Sequence, residues 1–225
     1  MKLTPLGDQA VLAYLADEAA AVGFAIAVRS ANPPWLSDVV PAYASVGVFF
    51  DADQINTAEV SQWLSERAAT ARERVRFPAP LRSRLVSIPV CYELQLDMPR
   101  VCEHTKLSAD EVIALHTATT YTIYAIGFVP GFPYMGYLPK ELCGVGRLAS
   151  PRMRVEPGSV GLTGRQTGIY PLARPGGWNI IGRTPLVIVD VAAGFFPLHV
   201  GDTVRFTRID EAEFRKLEGE RLSIA

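Results

Sequence analysis

Up to Tyr92 the apolar positions switch between a strand-like and a helix-like rhythm. Gln9 to Ala16 carries a compact apolar run (Ala10, Val11, Leu12, Tyr14, Leu15), which predicts a strand. Asp17 to Ala31 is rich in alanine and opens on acidic residues, which suit the positive end of a helix dipole. Val39-Val40 and Val46 to Phe50 are β-branched and aromatic, flanked by Pro41 and Asp51, and predict two further strands. Asn56, with Glu59 three residues on, predicts a capped helix that runs to about Arg74 and buries Val60, Trp63 and Leu64. Arg84 to Tyr92 predicts another strand. The order β-β-α-β-β-α-β predicts a small α/β sandwich with a helix layer on one sheet face. A boundary is expected near Phe77-Pro78-Ala79-Pro80, giving an N-terminal α/β domain over 1–80 and a second domain over 81–225.

The second domain reads differently. Ser108 and Glu111 form a capping box for a helix through His116, and Tyr121 to Phe128 alternates as a strand. Short strands then recur at Ser159–Thr163, Gln166–Tyr170, Trp178–Ile181, Leu186–Asp190 and Thr203–Ile209, with Pro175-Gly176-Gly177 as a tight turn. No long helix interrupts them. This predicts an all-β barrel or sandwich, closed by a short amphipathic helix over Asp210–Glu218. The whole chain is thus expected to be α+β.

Composition narrows the function classes. Hydrophobic residues make up 49% of the 225, enough for a sizeable core. The net charge is −1 and no basic stripe is present, which argues against nucleic acid. Arg67, Arg72, Arg74 and Arg76 are interrupted by Glu66 and Glu73 and read as a solvated helix face. Cys91, Cys102 and Cys143 form no C-x-x-C pair and are odd in number, which favours a reduced, cytoplasmic setting. No signal peptide is expected, since no basic segment followed by an apolar run opens the sequence, and no apolar stretch approaches the ~18 residues that span a bilayer.

Candidate chemistry concentrates between Gly127 and Thr184, where glycine and proline are threaded with Tyr, Trp, Arg and Gln. That mixture suits a shaped surface rather than a linker. There is no P-loop, nucleophile elbow or dinucleotide fingerprint, and His104, His116 and His199 are too dispersed for a metal site. His116, ending a helix, is read either as an acid/base or anion-binding group, or as a cap for the last helix carbonyls. Arg147, Arg152, Arg154, Arg165, Arg174 and Arg183 offer forks for carboxylate or phosphate, though at least half are expected to be plain surface residues. Arg152 and Arg183 lie in rigid turns and stand out. Gln166, Thr167, Tyr170 and Trp178 suit a pocket for an amide- or carboxylate-bearing ligand, with barrel packing as the alternative for the two aromatics. Glu156 and Asp190 are possible bases, Glu156 more simply a surface residue.

These residues also carry a resemblance. Gly127-Phe128-x-Pro130-Gly131-Phe132-Pro133-Tyr134, Gly158-Ser159-Val160-Gly161, Gln166-Thr167-Gly168-Ile169-Tyr170-Pro171 and Pro175-Gly176-Gly177-Trp178 resemble the allophanate hydrolase subunit 1 family. Gly7-Asp8-x-Ala10, Pro41-Ala42-Tyr43-x-Ser45, Leu115-His116 and Gly201-Asp202-x-Val204-Arg205-Phe206 extend the resemblance along the chain. That family includes one component of bacterial 5-oxoprolinase, its B subunit, and a sporulation-kinase inhibitor. It is also similar to part of the carboxyltransferase region of urea carboxylase. The resemblance implies an N-terminal α/β domain followed by a cyclophilin-like β-barrel. It implies a subunit that works with A- and C-type partners in ATP-dependent opening of 5-oxo-L-proline to L-glutamate. The alternatives are a non-enzymatic regulator that binds a histidine kinase, or part of a urea carboxylase or allophanate hydrolase system. On the family motifs, His116, Arg152 and Arg183 are the candidate catalytic residues, and Arg147, Gln166, Thr167, Tyr170 and Trp178 the candidate substrate-binding ones. ATP serves the complex and no metal is expected. Gly146 before Arg147, Glu156 before Pro157, Met135, and the surroundings of Asp97 depart from the common family pattern.

Overall fold

The computed structural model describes residues 1–74 and 84–224. The expected boundary at Phe77–Pro80 lies outside the described residues, as does Arg76. The chain divides into two compact units, Met1–Arg82 and Ser83–Ala225.

The first unit contains β1 (Lys2–Pro5), β2 (Ala10–Tyr14), α1 (Glu18–Ala31), β3 (Leu36–Ala42), β4 (Ser45–Phe50) and α2 (Thr57–Arg74). Its antiparallel sheet has the order β1-β2-β4-β3. Register sets Val11 against Val48 and Ala13 against Val46, so alternate residues of β2 and β4 share one buried face. Phe24, Ala25 and Val28 of α1 and Val60 and Leu64 of α2 cover that face. The Asp17 side chain caps α1 by accepting from Ala20 N at 2.7 Å. Asn56 caps α2 through Ala58 N and Glu59 N, and Glu59 accepts from Asn56 N in return. Arg67 of α2 stacks on the Trp63 ring at 4.7 Å.

The second unit opens with β5 (Leu85–Cys91), α3 (Met98–Thr105) and α4 (Ala109–Ala118). The remaining elements are β6 (Thr120–Ile126), β7 (Pro133–Gly136), β8 (Arg152–Val155), β9 (Ser159–Thr163), β10 (Gln166–Ile169), β11 (Arg174–Gly176), β12 (Asn179–Arg183), β13 (Thr203–Ile209) and α5 (Glu211–Leu217). Seven strands close a barrel in the order β10-β7-β6-β13-β5-β12-β9, while β8 and β11 form a separate ribbon. The parallel pair β5–β13 joins the two ends of the unit's chain. The expected α+β class with a β-barrel is therefore observed. The barrel is filled by alternating residues such as Val86, Ile88 and Val90 of β5, Leu162 of β9, Ile169 of β10 and Phe206 of β13.

Three elements depart from the sequence reading. Pro175-Gly176-Gly177 is not a free-standing turn, because Arg174–Gly176 pairs with β8 across a bulge. Leu186–Asp190 is not a strand and makes only isolated bridges, Val187 with Arg221 and Asp190 with Phe195. Arg84 to Tyr92 joins the barrel rather than the N-terminal sandwich.

Candidate functional site

The alternation of β10 sorts the candidate residues into two environments. Thr167 and Ile169 point into the barrel, whereas Gln166, Gly168 and Tyr170 share its outer face. On that outer face lies a separate apolar cluster of Phe132, Val155, Tyr170, Trp178 and Ile180. Phe132 is its centre, with ring centroids 4.8 Å from Tyr134, 5.2 Å from Tyr170 and 5.4 Å from Trp178, all edge-to-face. Two glycines make room for it. A Cβ on Gly168 would sit 3.0 Å from the Phe132 ring and 3.1 Å from the Trp178 ring, and one on Gly176 would meet the Tyr170 hydroxyl at 2.5 Å. Tyr170 and Trp178 are thus buried, but outside the barrel interior.

Phe128 crowns this cluster. It is 60% exposed, its φ is 66°, and its ring meets Phe132 and Tyr170 edge-on. A bulky residue in the left-handed region costs on the order of 1–3 kcal/mol and marks a loop held in place by its surroundings. The loop's internal bonds do this: Gly127 N donates to Phe132 O, and Phe132 N to Val129 O.

Two arginines border the aromatic set. Arg147 rides on a strap fixed at several points. The Gly146 carbonyl accepts from Arg100 Nη1 at 3.1 Å and Asn179 Nδ2 at 3.0 Å, and Leu148 N donates to Gly177 O. Arg152 lies on β8 opposite Gly176. Its Nη2 donates to Asp97 Oδ1 at 2.6 Å, while Asp97 Oδ2 accepts from Ile180 N at 2.7 Å. Burial raises the pKa of the Tyr170 hydroxyl, and a backbone hydrogen bond at Trp178 and the charges of Arg147 and Arg152 oppose the rise. Burial also raises the Tyr134 hydroxyl, against Arg147. Both guanidinium charges therefore act on one hydroxyl. The arrangement offers cations and hydroxyls beside flat apolar rings.

His116 lies elsewhere, fully enclosed in the barrel. Its ring stacks on Phe206 with centroids 4.6 Å apart. Nε2 is 3.0 Å from Thr167 Oγ1, and Nδ1 is 2.7 Å from the Tyr92 hydroxyl. The Thr167 hydroxyl donates to Gly161 O at 3.0 Å, so its oxygen accepts Nε2–H and the Tyr92 hydroxyl donates to Nδ1. The helix-cap reading of His116 is corrected: the Thr117 and Thr119 hydroxyls donate to the carbonyls of Ile113 and Leu115 instead. Burial pushes the His116 pKa down to about 3. The unfolded chain binds a proton here below the ordinary value of 6.5, and the folded chain does not. Stability from this site is complete above that value and falls as the pH drops toward 3, by about 2 kcal/mol near pH 5. Urea unfolding at pH 7 and pH 5 should show this extra loss in the native chain and not in His116→Gln; equal losses in both would contradict it.

The other candidates are tied locally. Arg183 Nε donates to Pro157 O at 2.9 Å, and its guanidinium faces the Phe214 ring of α5. Gln166 is half-buried on β10 opposite Gly136 and Thr163. Arg154 pairs with Glu156 on the surface, Arg165 stacks on Tyr137, and Asp190 pairs with Arg221. Asp97, Phe128, Phe132 and Tyr134 belong to the site but are not singled out by sequence reasoning. Asp97 is 55 residues from Arg152, and nothing in its neighbourhood announces the pair. The three aromatic residues stand in the Gly127–Tyr134 motif, whose spacing alone assigns them no chemistry.

Comparison with known proteins places this architecture. Residues 1–194 match the family described as carboxyltransferase domain, subdomain C and D. The chain is 34% identical over 244 aligned positions to the B subunit of 5-oxoprolinase from Bacillus subtilis, covering 97% of each. It is 33% identical to the solved structure of TTHA0988, with a TM-score of 0.76, covering 90% of this chain and 40% of that longer one. The urea carboxylase of Kluyveromyces lactis shares the fold alone, at 15% identity and a TM-score of 0.75 over 99% of this chain and 23% of the other. On the extent of these matches, the chain belongs to the carboxyltransferase-domain family, subdomains C and D.

Proposed function

We propose that this chain is a subunit of an ATP-dependent 5-oxoprolinase of the cytoplasm, acting with A- and C-type partner subunits to open 5-oxo-L-proline to L-glutamate. The observation that carries the reading is the end-to-end match to a relative named as the B subunit of 5-oxoprolinase. The Arg147–Arg152–Tyr170 site supports it, because the substrate is a small flat lactam bearing one carboxylate.

A lactam is a poor electrophile. Phosphoryl transfer from ATP to the lactam oxygen activates the carbon toward water; the ring C–N bond breaks, the nitrogen taking a proton to become the amine, and a second water releases the phosphate, so that lactam, ATP and two waters give glutamate, ADP and phosphate. This chain's share is binding and orientation. Arg147 and Arg152 hold negative charge, the rings of Phe132, Tyr134, Tyr170 and Trp178 exclude water, and Phe128 stands at the edge as a cover. His116 and Thr167 hold β10 in register from inside the barrel, which fixes the Gln166 and Tyr170 side chains outside. Arg183 ties β12 to the Pro157 turn.

The reading is tested by phosphate release from ATP by the assembled complex. Release is expected to require 5-oxo-L-proline and to persist when urea is absent. Stimulation by urea in place of 5-oxo-L-proline would overturn it.

A further inference from the structure

Arg152 is held in an unusual way. Nη2 donates to Asp97 Oδ1, and Asp97 Oδ2 accepts from Ile180 N. Nη1 is shielded from water and has no hydrogen-bond partner. The side chain as a whole is 27% exposed, so Arg152 reaches the surface although Nη1 itself is covered. A charged donor kept out of water without a partner is costly in the free protein, and the cost disappears when an acceptor arrives. Among the described residues neither Arg147 nor Arg100, which donates to the Gly146 carbonyl, has an ion pair, so positive charge around Asp97 is in excess.

We infer that the Arg152 guanidinium, near the same aromatic cluster as Arg147, turns its unpartnered Nη1 outward to bind the carboxylate of the lactam substrate, and that Asp97 is the positioning residue that holds Nη2. This rests on the 5-oxoprolinase reading. The excess positive charge suits an anion, and the edge-to-face rings of Phe132, Tyr170 and Trp178 suit a flat lactam that carries one. The carboxylate distinguishes 5-oxo-L-proline from neutral lactams, so Arg152 is a specificity determinant rather than part of the bond-breaking machinery.

The test compares 5-oxo-L-proline with its neutral amide, 5-oxo-L-prolinamide, in the assembled complex. In Arg152→Gln the KM for the acid should rise by about tenfold to a hundredfold, as expected for a lost charge-assisted hydrogen bond. The inhibition constant of the amide should change less than about threefold. Asp97→Asn should shift the acid in the same direction by a smaller factor. Acid and amide weakening together, or neither weakening, would overturn the inference. A second measurement stands apart from turnover and from variant folding. In the native complex carrying ¹⁵N-arginine, the Arg152 guanidinium signal, assigned by its loss in Arg152→Lys, should move with the acid and stay with the amide. A signal that ignores the acid, responds equally to both, or moves instead with a non-hydrolysable ATP analogue would refute the carboxylate assignment. Absence of glutamate formation by the native complex would refute the proposed function, and the guanidinium titration would still decide this point.

Discussion

His116→Ala should lower the unfolding free energy of the purified chain by about 3–5 kcal/mol. Two losses add. The substitution removes a ring stacked on Phe206 and packed near Tyr121, leaving a cavity in the centre of the barrel. It also strands the Tyr92 hydroxyl, which donates to Nδ1. Thr167 is partly spared, since its hydroxyl still donates to Gly161 O. Burial already raises the Tyr92 pKa, so deprotonation offers that hydroxyl no escape. Urea denaturation gives the number directly. A loss below about 1 kcal/mol would mean that the ring is not the keystone that its contacts describe.

The second large effect is expected at Asp97. In Asp97→Ala the Arg152 guanidinium loses its ion pair and the Ile180 N–H loses its acceptor, both in a region where Asp97 is only 6% exposed. Breaking one side of such a pair costs about 3–5 kcal/mol when fully buried; Arg152 is partly exposed, so about 2–3 kcal/mol is expected. Asp97→Asn keeps an oxygen for Ile180 N and should recover part of this. Equal destabilisation by Ala and Asn would show that charge, not the backbone bond, dominates; no destabilisation by either would remove Asp97 from the account. A thermal-melt series on the three proteins separates these outcomes.

How much of this is legible in the sequence varies with the range of the interaction. The caps at Asn56 and Ser108 are local, and both form with the residues three positions on, Glu59 and Glu111. The β2 and β4 strands announce themselves as short apolar, β-branched runs. By contrast β7, β8 and β11 are three or four residues long and contain proline or paired arginines, so neither pattern nor propensity marks them. α3 is only eight residues and opens on Met98-Pro99. They exist because tertiary pairing supplies what local preference does not.

The site divides in the same way. Arg147, Tyr170 and Trp178, candidate substrate-binding residues from the sequence, and Arg152, a candidate catalytic one, are brought around one aromatic cluster. Thr167 and His116 share a hydrogen bond but face the opposite side of β10, because adjacent strand residues point apart. Arg183 is absorbed by Pro157 and Phe214. The partner that gives Arg152 its meaning, Asp97, lies on the approach to α3, and only the fold joins the two.

The most direct measurement is glutamate release from 5-oxo-L-proline and ATP by this chain co-purified with its A- and C-type partners, and by the same mixture lacking it. The account predicts glutamate from the complete set and none when this chain is withheld, with activity restored on adding it back. Glutamate formed equally well without this chain, or none from a fully assembled complex, would contradict the assignment.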